Sequence, residues 1–343
     1  MNIATIKFDS FERLQSDDCQ DRIIEARKVL GEKIVILGHH YQNETVYRHA
    51  DYAGDSLKLA QYVQQLDAKY IVFLGVHFMA EVSDILSRDD QITVLPDLSA
   101  GCSMADMANL AKVERTYREI SKVLDFDQTI TPITYINSAA DLKAFCGEHN
   151  GIVCTSTNAP KILEWAFKQR QKVLFFPDQN LGRWTGYKMN IPLEDMTVWD
   201  PDLPLGGLTE KQIIDSKILL WKGHCAVHQM FRLEHIERFR ELHPEGFVIS
   251  HPESPFEVCQ NSDFVGSTEF ILKTIQKADK NTKWLVGTEL NLVNRLANEM
   301  KPEGKLVQFM SHVVCECSTM ARIDPQHLAW TLENILKDSP VNI

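Results

Sequence analysis

The chain has 343 residues, of which 44% are hydrophobic and 24% are charged, and its formal net charge is −11 at pH 7. This acidic balance argues against non-specific nucleic-acid binding, which needs a basic surface, and no apolar run is long enough to cross a membrane. The first residues lack the basic start and long apolar centre of a signal peptide. We therefore expect a cytoplasmic protein whose eight cysteines are reduced thiols or metal ligands.

Apolar runs rich in Val, Ile and Phe alternate along the chain with segments of helical periodicity, which is typical of parallel βαβ units. In the first third, strands are predicted at 34–37, 70–74 and 92–95, and helices at 50–66 and 80–86. In the second third, strands are predicted at 133–137, 152–156, 173–176 and 218–221, and a helix at 159–170. In the last third, strand-like runs occur at 246–253, 264–268, 284–289 and 306–310, and an amphipathic helix at 323–336 closes the chain. The pattern predicts a threefold α/β repeat.

One cysteine follows the last predicted strand of each third: Cys102, Cys225 and Cys317. Thiolates are soft ligands suited to zinc or to iron–sulfur clusters. Three related positions could converge on one metal and leave its fourth coordination position open, as catalytic sites do. The spacing alone is a weak signal, because the chain has no C-x-x-C pair and its nearest approach is Cys315-Glu316-Cys317.

The remaining cysteines have simpler interpretations. Cys146, Cys154 and Cys259 are expected to be buried in the core or on helix faces, where a free cysteine behaves as a small hydrophobe. Cys19 lies in the polar N-terminal region with no evident partner nearby.

Titratable residues follow several predicted strands, at the edge where open parallel sheets bind ligands. His39 could donate or accept a proton near neutral pH, and Tyr41 could offer a phenolic hydrogen bond. A polar strand-to-helix turn would have the same sequence. His251 and Glu253 could divide acid and base roles if their surroundings separate their pKa values; the alternative is a surface loop with a charged pair. His228, three residues after Cys225, could face the same cavity if a helix begins there.

Neutral hydrogen-bonding groups follow other strands. Asp55-Ser56 could cap the next helix or direct its amides at an anion. Tyr135, Asn137 and Ser156 suit carboxylate or phosphate recognition, but turn-forming residues would look similar. Gly266-Ser267-Thr268 is a better phosphate candidate, because glycine permits close backbone approach while hydroxyls and helix amides bind oxyanions.

Taken in order, these stretches resemble the quinolinate synthase family of de novo NAD biosynthesis. The resemblance runs from about residue 24 to 337 and is highly specific as an ordered set. Its main segments are Gly38-His39-His40-Tyr41-Gln42, Gly54-Asp55-Ser56-Leu57, Gly75-Val76-His77-Phe78-Met79-Ala80-Glu81, Tyr135-Ile136-Asn137, Cys154-Thr155-Ser156-Thr157-Asn158, Pro177-Asp178-Gln179-Asn180-Leu181-Gly182, Gly223-His224-Cys225-Ala226-Val227-His228, His251-Pro252-Glu253, Phe264-Val265-Gly266-Ser267-Thr268, Val286-Gly287-Thr288-Glu289 and Cys317-Ser318-Thr319-Met320.

The resemblance implies three pseudo-threefold-related, three-layer αβα domains, each with a small mainly parallel sheet, and an active site at their central junction. The expected boundaries are 24–112 with a C-terminal helix at 318–340, then 113–226, then 227–317. It also implies a [4Fe–4S] cluster held by Cys102, Cys225 and Cys317, with one iron open to substrate. The implied reaction is of the transferase class and condenses iminoaspartate with dihydroxyacetone phosphate to give quinolinate, phosphate and two waters.

Residue roles follow from the same resemblance. It implies that substrate is contacted by His39, Tyr41, Ser56, Tyr135, Asn137, Ser156, His228, His251, Glu253, Ser267 and Thr268. Among these, Glu253, Tyr41 and His251 are the expected catalytic residues. We expect Glu253 to remove protons during enolisation and dehydration, and Tyr41 to assist isomerisation.

The chain departs from the family in three places. Many members have Lys or Arg where this chain has Gln179, and His40 stands where Asn or Tyr is common, so neither residue is assigned chemistry. Cys315 is an additional thiol, but Cys317 has the family's C-x-x-M spacing to Met320 and is the expected ligand.

Other functions and partners remain open at this stage. The alternatives are a different iron–sulfur hydro-lyase, a metal-dependent carbon–carbon lyase, or a cluster-based redox or oxygen sensor. Against the sensor, the acidic chain has no basic stripe or nucleic-acid reader motif. The expected partners are the small-molecule substrates, with room for a transient contact with the iminoaspartate-producing enzyme, and the protein is expected to be a monomer or homodimer without nucleic-acid or membrane partners.

Overall fold

Three parallel sheets organise the chain in a computed structural model that describes residues 5–313 and 316–342. The first sheet contains β1 (Ile34–His39), β2 (Tyr52–Gly54), β3 (Tyr70–Leu74) and β4 (Ile92–Val94). The second contains β5 (Ile130–Tyr135), β6 (Ile152–Cys154), β7 (Lys172–Phe176), β8 (Met196–Trp199) and β9 (Ile218–Trp221). The third contains β10 (Phe247–Ser250), β11 (Phe264–Val265), β12 (Lys283–Gly287) and β13 (Leu306–Phe309).

Helices connect the strands and cover the sheets, as crossovers between parallel strands require. The α-helices of the described residues are α1 (Ser16–Leu30), α2 (Glu44–Tyr47), α3 (Ser56–Val63), α4 (His77–Leu86), α5 (Ser103–Asp106), α6 (Leu110–Ile120), α7 (Phe126–Thr129), α8 (Ala140–Glu148), α9 (Ala159–Gln169), α10 (Gln179–Lys188), α11 (Glu210–Asp215), α12 (Leu233–Leu242), α13 (Phe256–Asn261), α14 (Thr268–Lys277), α15 (Leu290–Met300) and α16 (Pro325–Leu336). Short 3₁₀ turns occur at Phe8–Ser10, Gly31–Lys33, Leu193–Asp195, Pro204–Gly207, His228–Met230, Lys301–Glu303 and Met320–Arg322.

The three sheets share one strand order. The first sheet runs β2-β1-β3-β4 and the third runs β11-β10-β12-β13. The second runs β6-β5-β7-β9-β8, so it has the same order with β8 added at its edge. The threefold α/β repeat and the αβα layering expected from the sequence are therefore confirmed.

The first strand of each repeat is a run of β-branched and aromatic residues flanked by two partners. All six residues of β1 and all six of β5 are buried. Strands buried on both faces read as continuous apolar runs, which is why the sequence pattern located them. Several helices begin at side-chain caps; for example, Asp55 caps α3 by accepting a hydrogen bond from the Lys58 amide at 2.9 Å.

The chain divides into two compact units. The first comprises Met1–Cys102, Leu290–Arg295 and Glu316–Ile343, and the second comprises Ser103–Glu289 and Leu296–Cys315. The first unit contains the first sheet, and the second unit contains the other two. The boundaries between three domains at 112/113 and 226/227 remain predictions.

Within the first unit, α16 packs against α1 and brings both ends of the described chain together. Arg22 of α1 pairs with Glu333 of α16 at 2.6 Å. The Ile6 amide donates to Asn334 Oδ1 at 2.8 Å, and Thr5 Oγ1 lies 3.0 Å from Ser339 Oγ.

Two strands of the structure differ from the sequence prediction. The helix expected at 50–66 is wrong over its first residues, because Tyr52–Gly54 pairs with β1 as β2 and the helix starts only at Ser56. Tyr52 and Ala53 are too few and too exposed to show a strand pattern. Strand β8 was missed as well, although Trp199 at its end is buried. None of the helices in the described part of the chain is both long and apolar enough to span a membrane.

Candidate active site

The first strands of the three sheets end in equivalent side chains. His39 is the last residue of β1 and pairs with Gly54 at the end of β2. Tyr135 is the last residue of β5 and pairs with Cys154 at the end of β6. His251 follows β10 directly. A second polar residue follows each at a spacing of two, namely Tyr41, Asn137 and Glu253.

The other strand ends repeat in the same way. Each second strand is followed by hydroxyl side chains, which are Ser56, Thr155 with Ser156, and Ser267 with Thr268. The strands β4, β9 and β13 lead to Cys102, Cys225 and Cys317. The predicted site residues therefore occupy corresponding positions in three repeats of one fold.

In the second unit, Glu253 is the centre of a buried cluster. The Tyr135 hydroxyl donates to Glu253 Oε1 at 2.8 Å. His228 Nδ1 lies 3.0 Å from Glu253 Oε2, and His251 Nδ1 lies 3.9 Å from Glu253 Oε1. All four side chains are buried, with Glu253 only 4% exposed. The structure thus brings together four residues that were predicted for the site.

The two histidines are oriented by further contacts. The Glu253 amide donates to His251 Nδ1 at 3.3 Å, so in the neutral ring the proton lies on Nε2. The His228 and His251 rings are 4.8 Å apart, and His228 Nε2 is 3.4 Å from the Thr288 hydroxyl. The predicted helix after Cys225 is a single 3₁₀ turn, His228–Met230, which directs His228 inward.

The surroundings of the cluster separate the pKa values of its titratable groups. Burial would raise the pKa of Glu253, but His251, His228 and the hydrogen bonds from His228 and Tyr135 outweigh it, so this pKa lies below its ordinary value. Burial lowers the pKa of His251 to about 4 against the opposing effect of Glu253. At neutral pH Glu253 is therefore a carboxylate and the His251 imidazole beside it is neutral. The carboxylate is a base surrounded by hydrogen-bond donors.

A second buried carboxyl group, Asp178, lies in one of the segments that resemble the family, but the sequence assigned it no role. Burial and repulsion from Glu253 raise the pKa of Asp178 well above its ordinary value, and backbone amides offset this only partly. Its Oδ1 accepts from the Leu181 amide at 2.7 Å and caps α10. Asn180, also unassigned, donates from Nδ2 to the Glu253 carbonyl oxygen at 3.1 Å. Their signal in the sequence was the return of polar residues after a buried strand, since Asp178 and Asn180 lie just beyond the end of β7 at Phe176.

A close approach between two loops sets the path of the chain towards Cys225. The Gln179 amide donates to the Gly223 carbonyl oxygen at 3.0 Å. A Cβ atom on Gly223 would lie 2.2 Å from the Pro177 carbonyl oxygen, so only glycine fits there. Cys225, His228 and Glu253 each have one potential ligand atom within 4.8 Å of those of the other two, so this group could hold a metal.

The cysteines fall into two classes by burial. Cys102, Cys225 and Cys317 are partly accessible, whereas Cys19, Cys146, Cys154 and Cys259 are buried. Burial raises the pKa of the Cys259 thiol to about 12 and raises those of Cys19, Cys146 and Cys154 as well. Burial thus disfavours the thiolate form of these four residues, and the thiolate is the metal-binding form. The expectation for Cys146, Cys154 and Cys259 as core residues is met, and Cys315 lies outside the described residues.

The anion-binding candidates lie at helix starts and around a cavity. Ser267 caps α14 through the Phe270 amide at 3.4 Å, and Thr268 is buried at the first position of that helix. A cavity of about 460 Å³ is lined by Ser156, Pro252 and Gly266, so it adjoins the loops that carry His251 and Ser267. The buried Oδ1 of Asn137 has no hydrogen-bond partner among the described residues. A buried acceptor of this kind suits a ligand donor.

The remaining predicted residues belong to the first unit. His39 is buried, and its Nδ1 accepts from the Tyr41 amide at 3.1 Å. The His39 and Tyr41 rings are 4.7 Å apart in an edge-to-face arrangement. Ser56 is the first residue of α3, after the Asp55 cap. The alternative of simple capping is correct for Asp55, while Ser56 lies at the helix terminus as an anion-binding residue would.

Fold and site together define an α/β protein with a triply repeated strand-end site that combines thiol, imidazole, phenol and carboxylate groups. Residues 21–343 match the family model described as quinolinate synthetase A protein. The chain belongs to this family, as the ordered motifs indicated.

Similar proteins support the same assignment. The chain is 52% identical over 344 residues to the quinolinate synthase of Rhodopirellula baltica, an alignment that covers 97% of this chain and 87% of the relative. It is 48% identical over 344 residues to the quinolinate synthase of Herpetosiphon aurantiacus, with 100% and 91% covered. The quinolinate synthase of Corynebacterium glutamicum is 48% identical over 335 residues, with 97% and 84% covered.

Proposed function

We propose that the protein is a quinolinate synthase that condenses iminoaspartate with dihydroxyacetone phosphate, releasing phosphate and two waters. The observation that carries this proposal is the buried Glu253 cluster, because it places a carboxylate base, two imidazoles and a phenol beside Cys225. Condensation followed by enolisation and dehydration needs groups that remove and return protons in a site closed to water.

Cys102, Cys225 and Cys317 would hold a [4Fe–4S] cluster. The donor set fits, since these are the accessible cysteines of the described chain and thiolates are the usual cluster ligands. With three protein ligands, the cluster would supply an iron open to substrate that acts as a Lewis acid. The same proposal places the enzyme in the transferase class.

Glu253 would act as the base. Its pKa is lowered, so it is ionised at neutral pH, and Tyr135 and His228 hold each of its two oxygens at 2.8 and 3.0 Å. A base fixed at both oxygens acts on substrate from one position. His251 would present Nε2–H as a hydrogen-bond donor, because its Nδ1 is occupied by the Glu253 amide. Tyr41 would assist isomerisation.

The substrate carboxylates and phosphate would bind at the strand-end hydroxyl and amide groups. Ser267 and Thr268 lie at the N-terminus of the ten-residue helix α14, where amides and the helix dipole favour an anion. Ser156 opens onto the cavity beside them. Asn137, Ser56 and His39 would complete the polar lining at the corresponding positions of the other repeats.

The test is the Glu253→Gln variant, purified anaerobically and assayed with both substrates. We expect quinolinate formation to fall by about 100-fold or more, the usual effect of removing a general base, while iron and sulfide content stay unchanged. Glu245→Gln is the matched control, because Glu245 is an exposed residue paired with Lys283 at 2.5 Å. Near-normal turnover by Glu253→Gln with a full cluster would remove Glu253 from the mechanism.

Several expectations remain predictions. They are the boundaries of the three domains, the cytoplasmic location, a monomer or homodimer, and a transient contact with the enzyme that supplies iminoaspartate.

A further inference from the structure

The turn that follows β1 carries two proposed substrate-binding residues, His39 and Tyr41. The Gln42 amide donates to the His39 carbonyl oxygen at 3.0 Å and closes the turn. The Tyr41 amide donates to the ring of His39. The carbonyl oxygens of His40, Tyr41 and Gln42 accept from donors outside the turn.

Helix α15 supplies those donors from a part of the chain about 250 residues away. Arg295 donates from one terminal nitrogen to the His40 carbonyl oxygen and from the other to the Gln42 carbonyl oxygen at 3.3 Å. One turn earlier on the same helix face, Asn291 Nδ2 lies 3.5 Å from the Tyr41 carbonyl oxygen. All three carbonyl groups of the turn therefore face one side of α15.

The guanidinium group of Arg295 is itself fixed in place. Its Cζ lies 3.5 Å from the centroid of the Tyr47 ring, a close cation–π contact. Glu44 Oε2 is 3.4 Å away, and the Arg295 side chain is only 11% exposed. The Tyr47 hydroxyl in turn lies 3.2 Å from His40 Nδ1. A buried cation with two carbonyl acceptors, one carboxylate and one aromatic face has little freedom to move.

We propose that Arg295 is a positioning residue that fixes the His39–Gln42 turn and thereby the orientation of His39 and Tyr41 towards substrate. Its two donors bind the carbonyl oxygens of His40 and Gln42, the residues on either side of Tyr41. A guanidinium group does this because its donors form a rigid planar fork, whereas a lysine ammonium is a point charge on a flexible stem. The catalytic part of this inference rests on the function proposed above.

A purely structural ion pair is the alternative explanation. In that case the charge of Arg295 would matter through Glu44, and Lys would replace Arg with little change. Glu44 is 53% exposed, however, and exposed pairs contribute little. The carbonyl contacts are the better-buried part of the arrangement.

The test compares Arg295→Lys with Glu44→Gln as holoenzymes of equal iron content. We expect Arg295→Lys to lower kcat by about 10-fold or more, with a smaller change in KM, because a 1 Å misplacement of a catalytic group already has large effects on rate. Glu44→Gln should stay within about two-fold of the parent, since it removes only the exposed pair. Equal losses in both variants, or an unchanged kcat in Arg295→Lys, would overturn the proposal.

Two further readouts separate a positioning role from general destabilisation. Guanidinium added to Arg295→Ala should restore part of the lost kcat, and a variant that is merely unstable would not respond. In the Tyr41→Phe background, Arg295→Lys should cause a much smaller additional loss, because residues that act as a unit are non-additive. Full additivity of the two substitutions would contradict action through Tyr41.

Amide hydrogen exchange tests the turn without reference to the reaction. The peptide covering residues 38–47 should exchange faster in Arg295→Lys than in the parent, while Glu44→Gln leaves it unchanged. If the parent forms no quinolinate, the proposed function fails and this measurement still decides whether Arg295 holds the turn. Unchanged exchange in Arg295→Lys would overturn the positioning role itself.

Discussion

Two histidines in different sheets are held in one tautomer by the same local hydrogen bond. His39 Nδ1 accepts from the Tyr41 amide at 3.1 Å, and His251 Nδ1 accepts from the Glu253 amide at 3.3 Å. In the neutral form of either ring the proton then lies on Nε2. The His-x-Tyr and His-x-Glu stretches thus use their two-residue spacing to fix a histidine as a donor, which the sequence alone did not reveal.

We expect a third histidine, His49, to make the stability of the fold depend on pH. Burial lowers its pKa to about 4, and Arg27 and Arg48 add to the effect. Its Nε2 lies 2.6 Å from Gln20 Oε1 on α1, and its own carbonyl oxygen accepts from Arg27 at 2.7 Å. None of these contacts places a negative charge beside the imidazole, so none of them stabilises its protonated form.

We therefore expect the free energy of unfolding to fall as pH decreases from about 6.5, the ordinary histidine pKa, towards 4. In that window the unfolded chain binds a proton at residue 49 and the folded chain does not, so the contribution is complete above 6.5 and lost below it. In urea unfolding at pH 7 and pH 5, His49→Gln should lose less stability than the parent. The exposed His77 offers the control His77→Gln; equal pH dependence of the parent and His49→Gln would contradict the assignment.

At the scale of elements, the site depends on how loops after neighbouring strands fit together. The loop after β9 passes so close to the loop after β7 that Gly223 has no room for a side chain. Cys225 follows two residues later. The position of the thiol therefore depends on this contact as much as on β9 itself.

Gly223→Ala should lower both thermal stability and iron content. Its Cβ would meet the Pro177 carbonyl oxygen at 2.2 Å, and overpacking of this kind typically destabilises by about 1–3 kcal/mol. Gly147→Ala in α8 is the matched control, because its Cβ would meet nothing within 4 Å. The control should be as stable as the parent or slightly more stable, by about 0.5–1 kcal/mol. Full iron content in Gly223→Ala would show that the loop tolerates the shift.

The sequence allowed most of these elements to be predicted, and the failures have physical causes. Strands such as β3 and β9 were placed at their observed bounds, because strands buried on both faces are continuous apolar runs. The three-residue β2 could not be found this way, since Tyr52 is exposed and only the pairing with β1 makes it a strand. At the site, strand-end residues were identified, but Asp178, Asn180 and Arg295 were not. Their roles come from contacts between distant segments, which periodicity does not encode.

At the scale of the whole molecule, the proposed ligands are spread over both units. Cys102 and Cys317 belong to the first unit, and Cys225 belongs to the second. The chain leaves the first unit directly after Cys102, and its last segment in that unit begins at Glu316, one residue before Cys317. A repeat with one thiol per sheet explains why the ligands lie so far apart in sequence.

Replacing any one of Cys102, Cys225 or Cys317 by Ser should therefore reduce iron and sulfide to a small fraction of the parent's content after anaerobic purification. A serine hydroxyl is far less acidic than a cysteine thiol, and its oxygen is a harder ligand than sulfur. Cys259→Ser is the control, because Cys259 Sγ lies 3.7 and 3.6 Å from the carbonyl oxygens of His251 and Ser254, which can accept from a serine hydroxyl. A full cluster in any of the three ligand variants would contradict the ligand assignment. A colourless parent protein that contains zinc but no sulfide would show that the site holds zinc and not an iron–sulfur cluster.

The contact between Thr5 and Ser339 has a topological consequence. Because these residues lie 3.0 Å apart, and Trp330 Nε1 donates to the Ile6 carbonyl oxygen at 2.6 Å beside them, the described chain is almost a closed ring. A linker of a few residues could join the two segments without strain, and the exposed Asp279-Lys280 turn, between α14 and β12, could be opened instead. Such a circular permutation changes no strand pairing, so we expect the permuted chain to form the same three sheets with the same strand orders.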